Sequence, residues 1–110
     1  MSPTDLEYEV FSKFCELQEL SKPARTDLVV HKRSRSNVGL FTDFELAADC
    51  ADRYRISEGT YENIPNARAL EGGELVGFLL FVGSDMTFTL EGHAYGRQWP
   101  GVEFPLEFLA

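Results

Sequence analysis

The sequence predicts an α+β fold, with two helices packed on a small antiparallel sheet that contains a β-hairpin near residues 74–91. Three observations predict it. Thr4-Asp5-Leu6-Glu7 and Thr42-Asp43-Phe44-Glu45 each place a Thr three residues ahead of a Glu, the signature of a capping box at a helix start. Met86 to Glu91 alternates strictly, with Met86, Phe88 and Leu90 on one face and Thr87, Thr89 and Glu91 on the other. That segment follows an apolar run, Glu74–Val82, and a Gly83-Ser84-Asp85 turn, which makes the pair a hairpin. Helices beside sequence-adjacent antiparallel strands define the α+β class. At 110 residues the chain reads as a single domain, 1–110.

The elements follow in order. After Thr4, the residues Leu6, Val10, Phe14 and Leu17 recur at helical spacing with Phe11 and Cys15 beside them, an apolar stripe that faces a core. Glu9 and Lys13 are spaced for an i,i+4 pair, and Lys22-Pro23 stops the helix. Leu28-Val29-Val30 and Val38–Phe41 are short β-prone runs, and the polar stretch His31–Asn37 between them reads as an exposed turn or loop. Ala47, Cys50, Ala51 and Tyr54 place the second helix at about 43–54. Ile56 to Gly73 has no period and many Ser, Gly, Asn and Pro, so it reads as a long loop, a feature that is often functional. The tail from Phe104 to Leu109 is apolar but contains Pro105, which suits an edge strand or packed extended chain.

Charge narrows the partners. Ten Lys and Arg face eighteen Asp and Glu, for a net charge of −8. Five of the basic residues (Lys22, Arg25, Lys32, Arg33 and Arg35) fall within fourteen positions that hold one acid, Asp27, so the remainder carries −12. Such a surface repels nucleic acid and steers a basic protein toward it. The longest apolar run, Phe78–Val82, has five residues, far short of the roughly 20 that a membrane-spanning helix needs. Met1-Ser2-Pro3-Thr4-Asp5 has neither the basic start nor the apolar core of a secretory signal, and the expected location is the cytoplasm.

No reaction centre is expected. The two cysteines, Cys15 and Cys50, fall on apolar helix faces without a CxxC spacing or clustered His, so they read as reduced core thiols and not as metal ligands. Glycine-containing turns at Gly72-Gly73 and Gly92–Gly96 lack the spacing of a phosphate-binding loop, and no cofactor is expected. Glu91 and His93, two residues apart on a strand, project to one face and with Tyr95 are the candidates for an acid–base site. Their neighbours Thr87, Thr89, Gly92 and Gly96 describe a hydrated surface or a protein contact better than a desolvated pocket. Trp99 reads as a buried anchor of the hairpin end.

One stretch resembles a known pattern. Gly73-Glu74-Leu75-Val76-Gly77-Phe78-Leu79-Leu80-Phe81-Val82, then Leu90-Glu91-Gly92-His93-Ala94-Tyr95-Gly96 and Trp99-Pro100, resembles small bacterial immunity proteins of polymorphic toxin, contact-dependent inhibition and Rhs systems. The resemblance covers about residues 65–100. It implies an antitoxin that neutralises a cognate secreted toxin by tight stoichiometric binding, without catalysis of its own. The implied partner is a basic toxin domain of the nuclease class.

The expected partner-binding residues are the carboxylates Glu58, Glu62, Glu71 and Glu74 with Tyr61 in the aperiodic segment, joined by Glu91, His93 and Tyr95 at the hairpin end. Two alternatives come from other classes. One is a small enzyme or ligand-binding domain that uses Glu91, His93 and Tyr95. The other is a dimerising accessory domain whose hairpin pairs strand to strand.

Overall fold

The computed structural model describes residues 1–47, 54–96 and 98–109. Helix α1 spans Asp5–Leu17 and begins as the sequence predicts. The Glu7 backbone N–H donates to Thr4 Oγ1 at 3.1 Å, and the Thr4 N–H donates to Glu7 Oε1 at 2.8 Å. Its end lies earlier than Lys22-Pro23. Glu19 takes a left-handed conformation (φ 58°), so that its N–H reaches Glu16 O and the Leu20 N–H reaches Cys15 O. This is a Schellman turn formed without glycine, which is why the residue types alone do not announce it. Lys13 pairs with Glu16 at 3.4 Å, one turn on, in place of the Glu9 pairing that the spacing suggests.

The rest of the described chain is mostly β. Seven strands, β1 (Leu28–Arg35), β2 (Gly39–Leu46), β3 (Gly59–Tyr61), β4 (Ala67–Ala69), β5 (Leu75–Val82), β6 (Thr87–Ala94) and β7 (Leu106–Phe108), form one antiparallel sheet. Its order is β1-β2-β6-β5-β4-β7, and β3 also pairs with β5. The β5–β6 hairpin has Val82 opposite Phe88, Leu80 opposite Leu90 and Phe78 opposite Gly92. The tail forms β7 beside β4, at the margin of the sheet. No helix among the described residues is long and apolar enough to cross a membrane.

The expected fold class is therefore corrected: the described residues hold one α-helix and a seven-stranded antiparallel sheet, not two helices on a small sheet. The second capping box is the source of the difference. Thr42-Asp43-Phe44-Glu45 lies inside β2, where Leu40, Thr42, Phe44 and Leu46 are all buried. A threonine standing at an inward position hides the period-2 pattern, because its hydroxyl serves a buried hydrogen bond to Glu7 Oε2. Residues 48–53, the rest of the expected helix, lie outside the described residues. The polar stretch from His31 to Arg35 is strand, not loop, and pairs with β2 at the open margin of the sheet. The long segment from Ile56 to Gly73 contains β3 and β4, each three residues long and too short to show a period.

Helix α1 covers one face of the sheet. Phe11 meets Phe44 and Phe88 edge to face, with ring centroids at 5.1 and 5.2 Å, and Phe14 meets Tyr61 at 5.1 Å. Leu28, Val30, Val76, Phe78, Leu80, Val82 and Leu90 complete this core. Trp99 is 3% exposed and lies edge-on to Phe78 and Phe104, as its expected anchoring role requires. Cys15 is a buried free thiol, pushed up to about 12 by burial and so inert as a nucleophile.

Beneath α1 sits an ion pair. The Glu7 carboxylate is 3% exposed and accepts from Arg33 Nε at 2.7 Å and Arg33 Nη2 at 2.6 Å, as well as from Thr42 and the Thr4 N–H. Burial raises its pKa, but the hydrogen bonds from Arg33, Thr42 and Thr4 outweigh burial and hold it below the ordinary glutamate value. Arg33 faces inward opposite Thr42 because the β1–β2 register slips between Val30 and Lys32.

Candidate protein-binding face

The second face of the sheet is built from the residues that alternate with the core. On β2 these are Phe41, Asp43 and Glu45; on β6, Thr87, Thr89, Glu91 and His93; on β5, Leu75, Gly77, Leu79 and Phe81. Helix α1 packs on the opposite side, and two large apolar side chains remain exposed here, Phe41 at 44% and Phe81 at 37%. Register sets the neighbours. Glu91 stands between Phe41 on β2 and Leu79 on β5, and Thr89 stands between Asp43 and Phe81. Directly opposed residues in an antiparallel pair have Cβ atoms about 5 Å apart, so each row is a set of touching neighbours. The Thr89 hydroxyl donates to Asp43 Oδ1 at 2.8 Å, and His31 Nε2 lies 3.1 Å from Glu45 Oε1. The Glu91 side chain is half-buried and makes no hydrogen bond or ion pair with the other described residues.

The hairpin end adds a polar cluster. His93 lies opposite Gly77, and its ring meets Tyr95 edge-on at 5.1 Å. The Tyr95 hydroxyl donates to Asn66 Oδ1 at 3.1 Å. A methyl group added at Gly77 would stand 2.6 Å from His93 Nε2, 2.8 Å from Tyr95 Oη and 3.0 Å from Asn66 Oδ1, so the three side chains close over a position that has none.

The expected site residues divide into two sets. Glu91 and His93 share the outer face, as their spacing predicts, and Tyr95 joins them through the His93 ring. Glu74 lies at this same end, its Oε2 within 3.3 Å of where a Gly96 Cβ would be. Glu58 and Glu62 flank β3, which pairs with residues 80–82 of β5, whereas Glu71 and Glu74 precede residue 75 at the strand's other end. An eight-residue strand rises by about 3.3 Å per residue, so the four carboxylates form two groups roughly 20 Å apart and not one loop surface. Tyr61 points inward against Phe14 and belongs to the core packing.

Phe41, Asp43, Leu79, Phe81 and Asn66 are the residues that sequence reasoning passed over. The signal for β5 was present, since its odd-numbered residues alternate out of the core, but a continuous apolar run conceals which half is buried.

A groove of about 530 Å³ lies elsewhere, between α1 and β7, lined among others by Glu9, Ser12, Lys13, Lys22 and Phe108, and none of the expected site residues enters it. Among the described residues no group of three or more His, Cys, Asp or Glu could hold a metal ion. The strands of the hairpin are paired on both sides, β6 with β2 and β5, β5 with β6, β3 and β4, so the hairpin offers no full open edge for strand exchange. Comparison with known proteins adds no relative: no family model, no curated protein and no solved structure matches this chain.

Proposed function

We propose that this chain is an immunity protein, which binds and neutralises a cognate secreted bacterial toxin of the nuclease class as a stoichiometric inhibitor in the cytoplasm of the cell that makes it. The observation that carries the reading is the outer sheet face, where exposed Phe41 and Phe81 stand in register with the carboxylates Glu91 and Asp43. Aromatic anchors beside carboxylates, on strands paired at both edges, suit a protein contact in which a few residues carry the affinity. The net charge of −8 supports the same partner, because a nuclease that holds a polyanion presents a basic cleft, and opposite charge raises the encounter rate. The resemblance of residues 65–100 to immunity proteins supports it from the sequence side.

Stoichiometry tests the reading. The toxin domain encoded by the reading frame directly upstream is held at a fixed active concentration and titrated with this protein. Inhibition by binding reaches its endpoint near one equivalent. Complete, time-dependent inactivation by a small fraction of an equivalent shows turnover, and an enzyme using Glu91, His93 and Tyr95 would replace the inhibitor.

A further inference from the structure

Resting on the reading of this chain as an inhibitor of a basic protein, we infer that Glu91, bracketed by Phe41 and Leu79, is the receptor for an arginine side chain of that partner. The cross-strand register places Glu91 between a residue with an exposed aromatic ring and one with a half-buried aliphatic side chain. Glu91 sits centrally on the face, two rows from the β5–β6 turn, and no other described residue makes an ion pair with its side chain. A half-buried carboxylate attracts a cation more strongly than a fully hydrated one. The planar guanidinium suits this pair of neighbours, since it bonds a carboxylate through two parallel N–H groups while its face stacks on an aromatic ring. An ammonium would use the charge and forgo the stacking.

Charge selects the occupant. Asp43, Glu45, Glu91 and Glu107 on this face outnumber its Lys32 on β1 and Arg68 on β4. A second copy of the chain docked face to face would bring another net-negative face against this one, which lowers affinity. A basic protein surface meets them with opposite charge. Phe41 and Phe81 then bury their exposed rings at the two sides of the ion pair, which excludes water from it.

The test uses the full chain, with Glu91→Gln, Phe41→Ala and their combination, titrated calorimetrically against the toxin domain encoded upstream; Glu16→Gln, exposed on α1 at the opposite side of the sheet, is the control. All the changed side chains are exposed or half-buried, and circular dichroism with the melting temperature verifies the fold. Glu91→Gln is expected to weaken binding at least about thirtyfold, as a central hot spot does. Phe41→Ala is expected to weaken it at least about tenfold, and the double variant less than the product of the two, because the residues share one partner group. The control stays within about threefold. Parent binding at one equivalent with Glu91→Gln within threefold of it overturns the arginine receptor and leaves the inhibitor reading standing. No complex with the parent protein overturns both. A concentration-dependent dimer of the parent that Phe41→Ala abolishes assigns the face to a second copy and overturns the inference.

Discussion

Phe44 and Phe41 lie three positions apart on one strand and meet different worlds. Phe44 stacks on Phe88 at 5.1 Å and receives the edge of Phe11, whereas Phe41 stands 44% exposed on the far side of the sheet. The same division separates Phe78 from Phe81 on β5. The inner face holds the fold together through α1, and the outer face contributes little to that. Residue type therefore does not assign a role in this chain; the parity of the position does. Substitutions on the two faces separate stability from recognition.

The largest effect is expected on the inner side. Phe11→Ala removes a ring that touches Phe14, Phe44 and Phe88, and Trp99→Ala removes a ring from Phe78 and Phe104. Each is expected to cost about 3–5 kcal/mol in a denaturant titration, while Phe41→Ala on the outer face stays within about 0.5 kcal/mol. Equal costs on both faces would erase the distinction.

The buried carboxylate comes next. Glu7→Gln leaves Arg33 without its partner under α1 and is expected to cost about 3 kcal/mol. The pH dependence follows from the direction of its shift. Glu7 protonates less readily in the fold than in the unfolded chain, so its contribution is complete above the ordinary glutamate value of about 4.3 and is lost as pH falls through the lower folded value. Denaturation of parent and Glu7→Gln at a series of pH values checks this, and the gap between them is expected to narrow only on the acid side.

Two glycines sharpen the comparison at smaller scale. A Cβ at Gly92 would stand 2.4 Å from Trp99 Cη2, a ring held by the core, whereas one at Gly77 meets the ends of His93, Tyr95 and Asn66 on the outer surface. Gly92→Ala is expected to cost about 1–3 kcal/mol by overpacking. Gly77→Ala is expected to cost under about 1 kcal/mol, because those polar side chains swing outward, and its signature is a shift of the His93 and Tyr95 NMR resonances.

Much of this was legible in the residues, for reasons that differ by element. The start of α1 is readable because a capping box and a 3.6 period agree over the same residues. The β5–β6 hairpin is readable because Phe88 and Leu90 alternate with Thr89 and Glu91 behind a turn. Strand β2 was misread because Thr42 occupies an inward position whose reason, the Glu7 carboxylate, is thirty-five residues away in sequence. Pairing fixes β3 and β4, not local preference, and three residues carry no period. For the outer face, Glu91, His93 and Tyr95 were found from spacing alone, while Phe41 and Phe81 needed the register to be seen as surface.

The margins of the sheet decide what kind of association an open face permits. At one margin β1 carries Lys32, Arg33 and Arg35, and its Val30 backbone is already bonded to Met1 in both directions. On the other side, β7 and β3 are each three residues long, and Pro105 stands directly before β7. Cationic, occupied or truncated margins are poor templates for the end-to-end strand pairing that grows fibrils. A protein built this way can keep Phe41 and Phe81 in water at high concentration, because stickiness confined to a face leads to one bounded complex and not to an indefinitely extending sheet.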